Sequence, residues 1–131
     1  MTEKSMWGDL SNIAITRTPK TILQEQGNIL GSSTKFVLRA DVEQTVSSWE
    51  PSSIIASLSV YTPRLKGYVQ NIVTVEHPIQ FYPLAMTDRV NAKSYTCTNE
   101  EEFVYTLEKI LTSGKVREVL SALLSYAGKS S

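Results

Sequence analysis

Two periodicities divide this chain. From Thr18 to Gly31 the apolar residues Ile22, Leu23, Ile29 and Leu30 recur seven apart, which places them on one stripe of a helix. Thr18 can cap the first free amides, Pro19 stands where its missing N–H costs nothing, and Gly31 offers a left-handed stop. A helix over about 19–32 is predicted. From Phe36 the period falls to two. Phe36, Leu38, Ala40, Val42 and Val46 alternate with Val37, Arg39, Asp41, Glu43, Thr45 and Ser47, so one strand face is dry and the other wet. After the break at Glu50-Pro-Ser-Ser53, Ile54, Ala56, Leu58 and Val60 alternate with Ile55, Ser57, Ser59 and Tyr61, completing a hairpin.

Pro63-Arg-Leu-Lys-Gly67 is a turn, beyond which Val69, Val73 and Val75 alternate with Gln70, Ile72 and Thr74 in a third strand. Pro78 interrupts before a fourth strand over residues 79–86, and the more polar stretch from Asn91 to Cys97 suits a short edge strand. Thr98-Asn-Glu-Glu101 has the form of a capping box, with Glu100 and Glu102 favouring the positive end of the helix that follows. Phe103, Leu107, Ile110 and Leu111 give that helix an apolar stripe, and Ser113-Gly114 halts it. In a last helix ending before Gly128, Val116, Val119, Leu120, Leu123, Leu124 and Ala127 share a side.

The expected architecture is therefore α+β: an N-terminal helix, a five-stranded antiparallel meander and two C-terminal helices packed on one sheet face. Residues 1–17 form an arm in which Trp7, Leu10, Ile13 and Ile15 can lie across the domain; residues 18–128 form the domain, and residues 129–131 a tail. The length of 131 residues matches one ordinary domain, and 41% hydrophobic with 20% charged residues is normal globular usage rather than disorder.

Thirteen basic and thirteen acidic residues cancel, which removes the overall basic excess that drives nucleic-acid binding. No stretch reaches the roughly 18 apolar residues of a membrane span, and Glu3 and Asp9 interrupt any signal-peptide core, so no membrane partner and a cytoplasmic setting are expected.

Chemistry-bearing residues are few. His77, the single histidine, is a candidate acid or base, but adjacent Glu76 points to the opposite strand face and cannot orient it; a structural role at a strand end outweighs catalysis. Cys97 precedes a helix N-terminus, where a thiol is activated, yet the glutamates beside it oppose that effect and no base is within local reach. Glu100, Glu101 and Glu102 occupy consecutive helix positions that diverge, so capping rather than metal binding accounts for them. No phosphate-loop spacing occurs, and Arg64 with Lys66 makes too small a basic patch to hold nucleic acid. No catalytic residue, metal or cofactor is predicted.

Trp49, Tyr61, Tyr68, Tyr82 and Tyr95 fall on or near the polar phase of their strands, where aromatic rings can make either cross-strand pairs or a partner-binding surface. They are the candidate binding residues.

Three segments, Thr18-Pro-Lys-Thr-Ile-Leu-Gln-Glu-Gln26, Pro78-Ile-Gln-Phe-Tyr-Pro83 and Asn99-Glu-Glu-Glu-Phe103 with the following Leu107, Ile110, Leu111 and Ser113, resemble a set of small uncharacterised bacterial proteins. The resemblance spans roughly residues 16–125, implies a bacterial cytosolic setting, and supplies no functional residues.

The leading expectation is a non-enzymatic protein-interaction module, by analogy an immunity- or antitoxin-type inhibitor. One alternative is a small enzyme or ligand binder with a cleft where His77 meets Tyr82 or Arg64. Another is self-association into a homo-oligomeric assembly or chaperone-like protein.

Overall fold

In the computed structural model, which describes residues 6–47 and 52–128, the first helix, α1 (Pro19–Ser33), begins where its cap dictates. The Thr18 hydroxyl accepts the Thr21 N–H at 3.1 Å. The helix runs past Gly31, however. Lys35 and Phe36, at φ 53 and 64, make the left-handed turn. Thr34 ties that turn together, donating to the Leu30 carbonyl at 2.9 Å and accepting the Leu38 N–H at 3.1 Å. The glycines of α1 serve close approach instead. A Cβ on Gly27 would stand 3.1 Å from that of Ala40, and one on Gly31 would stand 3.4 Å from the Phe36 ring.

Among the described residues the strands are β1 (Arg39–Ser47), β2 (Ser53–Tyr61), β3 (Gln70–His77), β4 (Leu84–Asp88) and β5 (Lys93–Cys97), paired antiparallel in chain order. Helices α2 (Glu100–Leu111) and α3 (Gly114–Tyr126) follow. This is the α+β meander that the pattern predicts. Pairing of Ala40 with Val60, Val42 with Leu58, Leu58 with Val73, and Val75 with Met86 places the apolar phase of neighbouring strands on one face. Leu23 of α1, Phe103, Leu107 and Ile110 of α2, and Val116 and Leu123 of α3 complete a single core with those strands. The opposite face stays open and carries a row of hydroxyls, Ser57, Thr74, Thr87 and Ser94, across four strands. Arg89 lies over it, its Nε donating to Thr74 Oγ1 at 3.2 Å.

Period-two reading fails at the start of β3. A bulge between the partners of Leu58 and Ser59 inserts an extra residue, so Ile72 and Val73 both turn inward, while Val69 is left 61% exposed. The fourth strand begins later than predicted, at Leu84. Ile79 and Gln80 are exposed, and Phe81 takes a left-handed φ of 80 ahead of a cis Tyr82-Pro83 bond. The capping box is shifted by one residue: Asn99, whose short amide side chain reaches the helix start, accepts the Glu102 N–H at 2.8 Å. Glu102, not Glu101, reaches back to the Thr98 N–H at 2.7 Å and its hydroxyl at 2.8 Å. Those two donors hold the Glu102 carboxyl below its ordinary pKa.

The apolar side chains of the arm are not buried. Trp7, Leu10, Ile13 and Ile15 are all exposed, Ile15 at 97%, and the chain meets the domain at Arg17, whose guanidinium contacts Glu25 at 2.8 Å and Glu100 at 3.6 Å.

Candidate functional site

The sheet has two ends. One, here the upper end, carries the β2–β3 loop and the β4–β5 turn; the lower end carries His77, the β3–β4 connection and the start of α2. Helix α3 crosses the upper end, fastened at each terminus. At its start, the Ser113 hydroxyl caps the Val116 N–H at 3.4 Å and accepts from Asn91 Nδ2 at 3.1 Å. Asn91 is itself oriented by the buried Asp88 carboxylate, which accepts its side-chain amide at 2.8 Å and the backbone N–H groups of Val90 and Asn91 at 3.0 and 2.9 Å. At the far terminus, Arg64 Nη1 donates to the Ala127 carbonyl at 3.0 Å, supplying one of the acceptors' partners that a helix end lacks.

Between these fastenings the outer side of α3 does not close on the two turns below it. It leaves a surface hollow of about 500 Å³. Leu65 and Tyr68 from the β2–β3 loop and Val90 from the β4–β5 turn form one wall, with Val119, Ala122, Leu123 and Tyr126 of α3 opposite. Lys115 and Glu118 supply one charge of each sign. The spacing of residues 115, 118, 119, 122 and 126 runs down one helix stripe, so the hollow follows the helix axis for about 16 Å at the α-helical rise. Tyr68 is 43% exposed and Tyr126 68%; the Tyr68 hydroxyl donates to Gln70 Oε1 at 3.0 Å. The lining suits burial of an apolar surface. It brings together no set of groups suited to acid–base or nucleophilic chemistry.

The four aromatic candidates among the described residues do not share this site or any other single surface. Tyr68 alone lines the hollow. Tyr61, paired with Arg39, lies on the open face. Tyr95, paired with Met86, is on the inward phase rather than the polar one, half-buried with the Lys109 ammonium 6.0 Å from its ring centre. Tyr82 packs against the core at the lower end, because the strand it was assigned to starts only at Leu84. Its hydroxyl is buried without a hydrogen-bond partner among the described residues. Burial, then the nearby Glu100 and Cys97, pushes its pKa up to about 12, against a smaller opposing effect of Arg17. Trp49 lies outside the described residues.

The expected meeting of His77 with Arg64 is overturned by topology. They stand at opposite ends of β3, which spans about 23 Å at the usual strand rise. His77 is 3% exposed, its Nδ1 2.7 Å from the Pro78 carbonyl and its ring edge-on to Phe81 at 6.0 Å between centres. A carbonyl can only accept, so Nδ1 is the donor in that contact, and Nε2 is buried without a hydrogen-bond partner among the described residues. Cys97 is buried, its Sγ 3.7 Å from Thr106 Oγ1; burial pushes the thiol pKa up despite that bond, which keeps it in its unreactive form. Glu100, Glu101 and Glu102 sit in the first turn of α2, and no group of three or more His, Cys, Asp or Glu side chains among the described residues is arranged to hold a metal.

Sequence reasoning missed Leu65, Val90, Ala122 and Tyr126, whose only signal was apolar character next to turn residues and beyond the predicted helix stripe. No helix among the described residues is long and apolar enough to cross a membrane. No protein-family model, curated protein or solved structure matches the chain.

Proposed function

We propose that this protein is a non-enzymatic interaction module that receives a segment of another protein in the hollow along α3. The observation that carries the reading is the hollow itself: about 500 Å³, walled by Leu65, Val90, Val119 and Leu123 and rimmed by Tyr68 and Tyr126. Large rings with polar tips beside an apolar floor give much contact area for little conformational entropy, the usual anchors of a protein interface. The single Lys115 and Glu118 set orientation rather than attract a strongly charged partner.

Ala122→Arg tests this, because Ala122 is exposed and the longer side chain fills the hollow without entering the core. Wild type is expected to retain one stoichiometric partner from native lysate at moderate salt, and the variant, with an unchanged thermal melt, to lose it. Equal retention by both, or no partner for either, overturns the reading. The exposed Ile13 and Ile15 of the arm favour self-association as a second reading. Light scattering on the wild type separates the two, since a monomer removes the second.

A further inference from the structure

The other side of α3 carries a second opening of different chemistry. Between α1 and α3 lies a slot of about 260 Å³ walled by Leu30 and Leu120, with Leu58, Val60 and Ile72 at its base, each no more than 4% exposed. This is slightly below the roughly 300–1,000 Å³ of sites for drug-sized ligands, so a small occupant fits. Two local features shape it. Gly27 brings α1 down onto Ala40 of β1, while the bulge in β3 turns Ile72 inward beneath α3. Arg117 is the one charged residue among those lining the slot, and it forms no ion pair among the described residues. Gln26, half-buried, adds an amide.

An apolar channel with one cation at its mouth complements a molecule built the opposite way. We infer that the slot binds a linear monocarboxylate, its hydrocarbon chain between Leu30 and Leu120 above Leu58, Val60 and Ile72, and its carboxylate on the Arg117 guanidinium, whose planar fork matches a carboxylate's two oxygens. A second anionic charge has no cationic partner in the lining, which sets the preference for a monoanion. The site is separate from the hollow on the outer side of α3 and does not depend on its role.

The test is a calorimetric series of n-alkanoates from hexanoate to dodecanoate, each below its micelle concentration, beside the alcohols of equal length. With the binding site located by ¹³C methyl shifts, affinity is expected to rise roughly fourfold per added methylene until the slot is full, then level off. Octanoate should bind wild type about fivefold more tightly than octanol, the margin of a partly exposed charged contact, and Arg117→Gln should erase that margin without changing octanol binding. Methyl shifts should appear at Leu58, Val60 and Leu120, and Ala122→Arg should leave binding intact. Equal binding of acid and alcohol to wild type, affinity independent of chain length, shifts confined to Leu65 and Val90, or no binding at the solubility limit each overturns the assignment.

Discussion

Helices α1 and α3 rest on the same face of the same sheet, yet they are attached in different ways. Along its length α1 is pressed onto β1: Gly27 removes the side chain that would hold it off Ala40, and Ile22 and Leu23 are buried beneath it. By contrast α3 is fastened at both ends, through Asn91–Ser113 and Arg64–Ala127, with Val116 and Leu123 buried and Val119, Leu120 and Leu124 partly so. Close packing leaves α1 only the flank that faces α3, at Gln26 and Leu30, to line a site. End fastening leaves openings along both flanks of α3, and both proposed sites are those openings. A helix attached by its termini is a way to keep apolar surface accessible within a stable fold, because the polar fastenings do not need the space between them filled.

The strongest way to break this comparison is to remove a buried leucine from each helix. Leu23→Ala should cost about 4 kcal/mol, since its site is enclosed and cannot collapse, whereas Leu123→Ala should cost about 2, because the vacated space joins the hollow beside it. Urea denaturation of both variants measures the difference; equal costs would show that α3 is packed as tightly as α1.

A smaller effect addresses the fastening itself. Arg64→Ala removes a charge-assisted bond that is partly exposed, so about 1 kcal/mol of stability should be lost. Hydrogen exchange should quicken in the last turn of α3 and remain unchanged in α1. Uniform exchange throughout the domain would argue against a local tether.

The smallest expected change in stability lies at the lower end, away from α3, where Tyr82 buries a hydroxyl that finds no partner among the described residues. Tyr82→Phe should leave stability at neutral pH unchanged or raise it by up to about 1 kcal/mol. The sign of the pH dependence follows from a folded pKa raised from 10.0 to about 12. The fold favours the neutral phenol, so this contribution is complete below pH 10 and is lost as pH rises through 12. Thermal melts from pH 9 to 12 should therefore show a steeper alkaline decline for wild type than for the variant; parallel curves would mean the phenol ionises equally in both states.

What was legible in the sequence was whatever short-range chemistry decides. The Thr18-Pro19 start, the alternation from Leu38 to Val42 and in β2, and the apolar stripes of α2 and α3 each arise from a few neighbouring residues, and together they specify the α+β meander, although Phe36 and Val46, read as part of the dry face, are exposed. The misplacements occur where a distant residue intervenes. Gly31 looked like a helix stop because its fit against Phe36 depends on how the chain returns after α1. Val69 and Ile72 exchanged places because a bulge is a property of two strands, whereas alternation is read along one. Even the capping box, a local motif, moved by one residue, since both Thr98 and Asn99 can cap and the end of β5 at Cys97 decides which does.

The candidate sites were hidden for a stronger reason. The hollow joins a loop, a turn and one stripe of α3, and of its walls only Tyr68 is a binding candidate by sequence. The slot joins α1 to α3 across three strands, and Arg117 has no local feature that distinguishes it from any solvated arginine. By itself the sequence determined the elements, their order and the dry face of the sheet, because propensity, capping and periodicity act within a few residues. Only the tertiary structure decided where coverage of that face stops, because a gap between helices depends on how closely each can approach a sheet assembled from the rest of the chain.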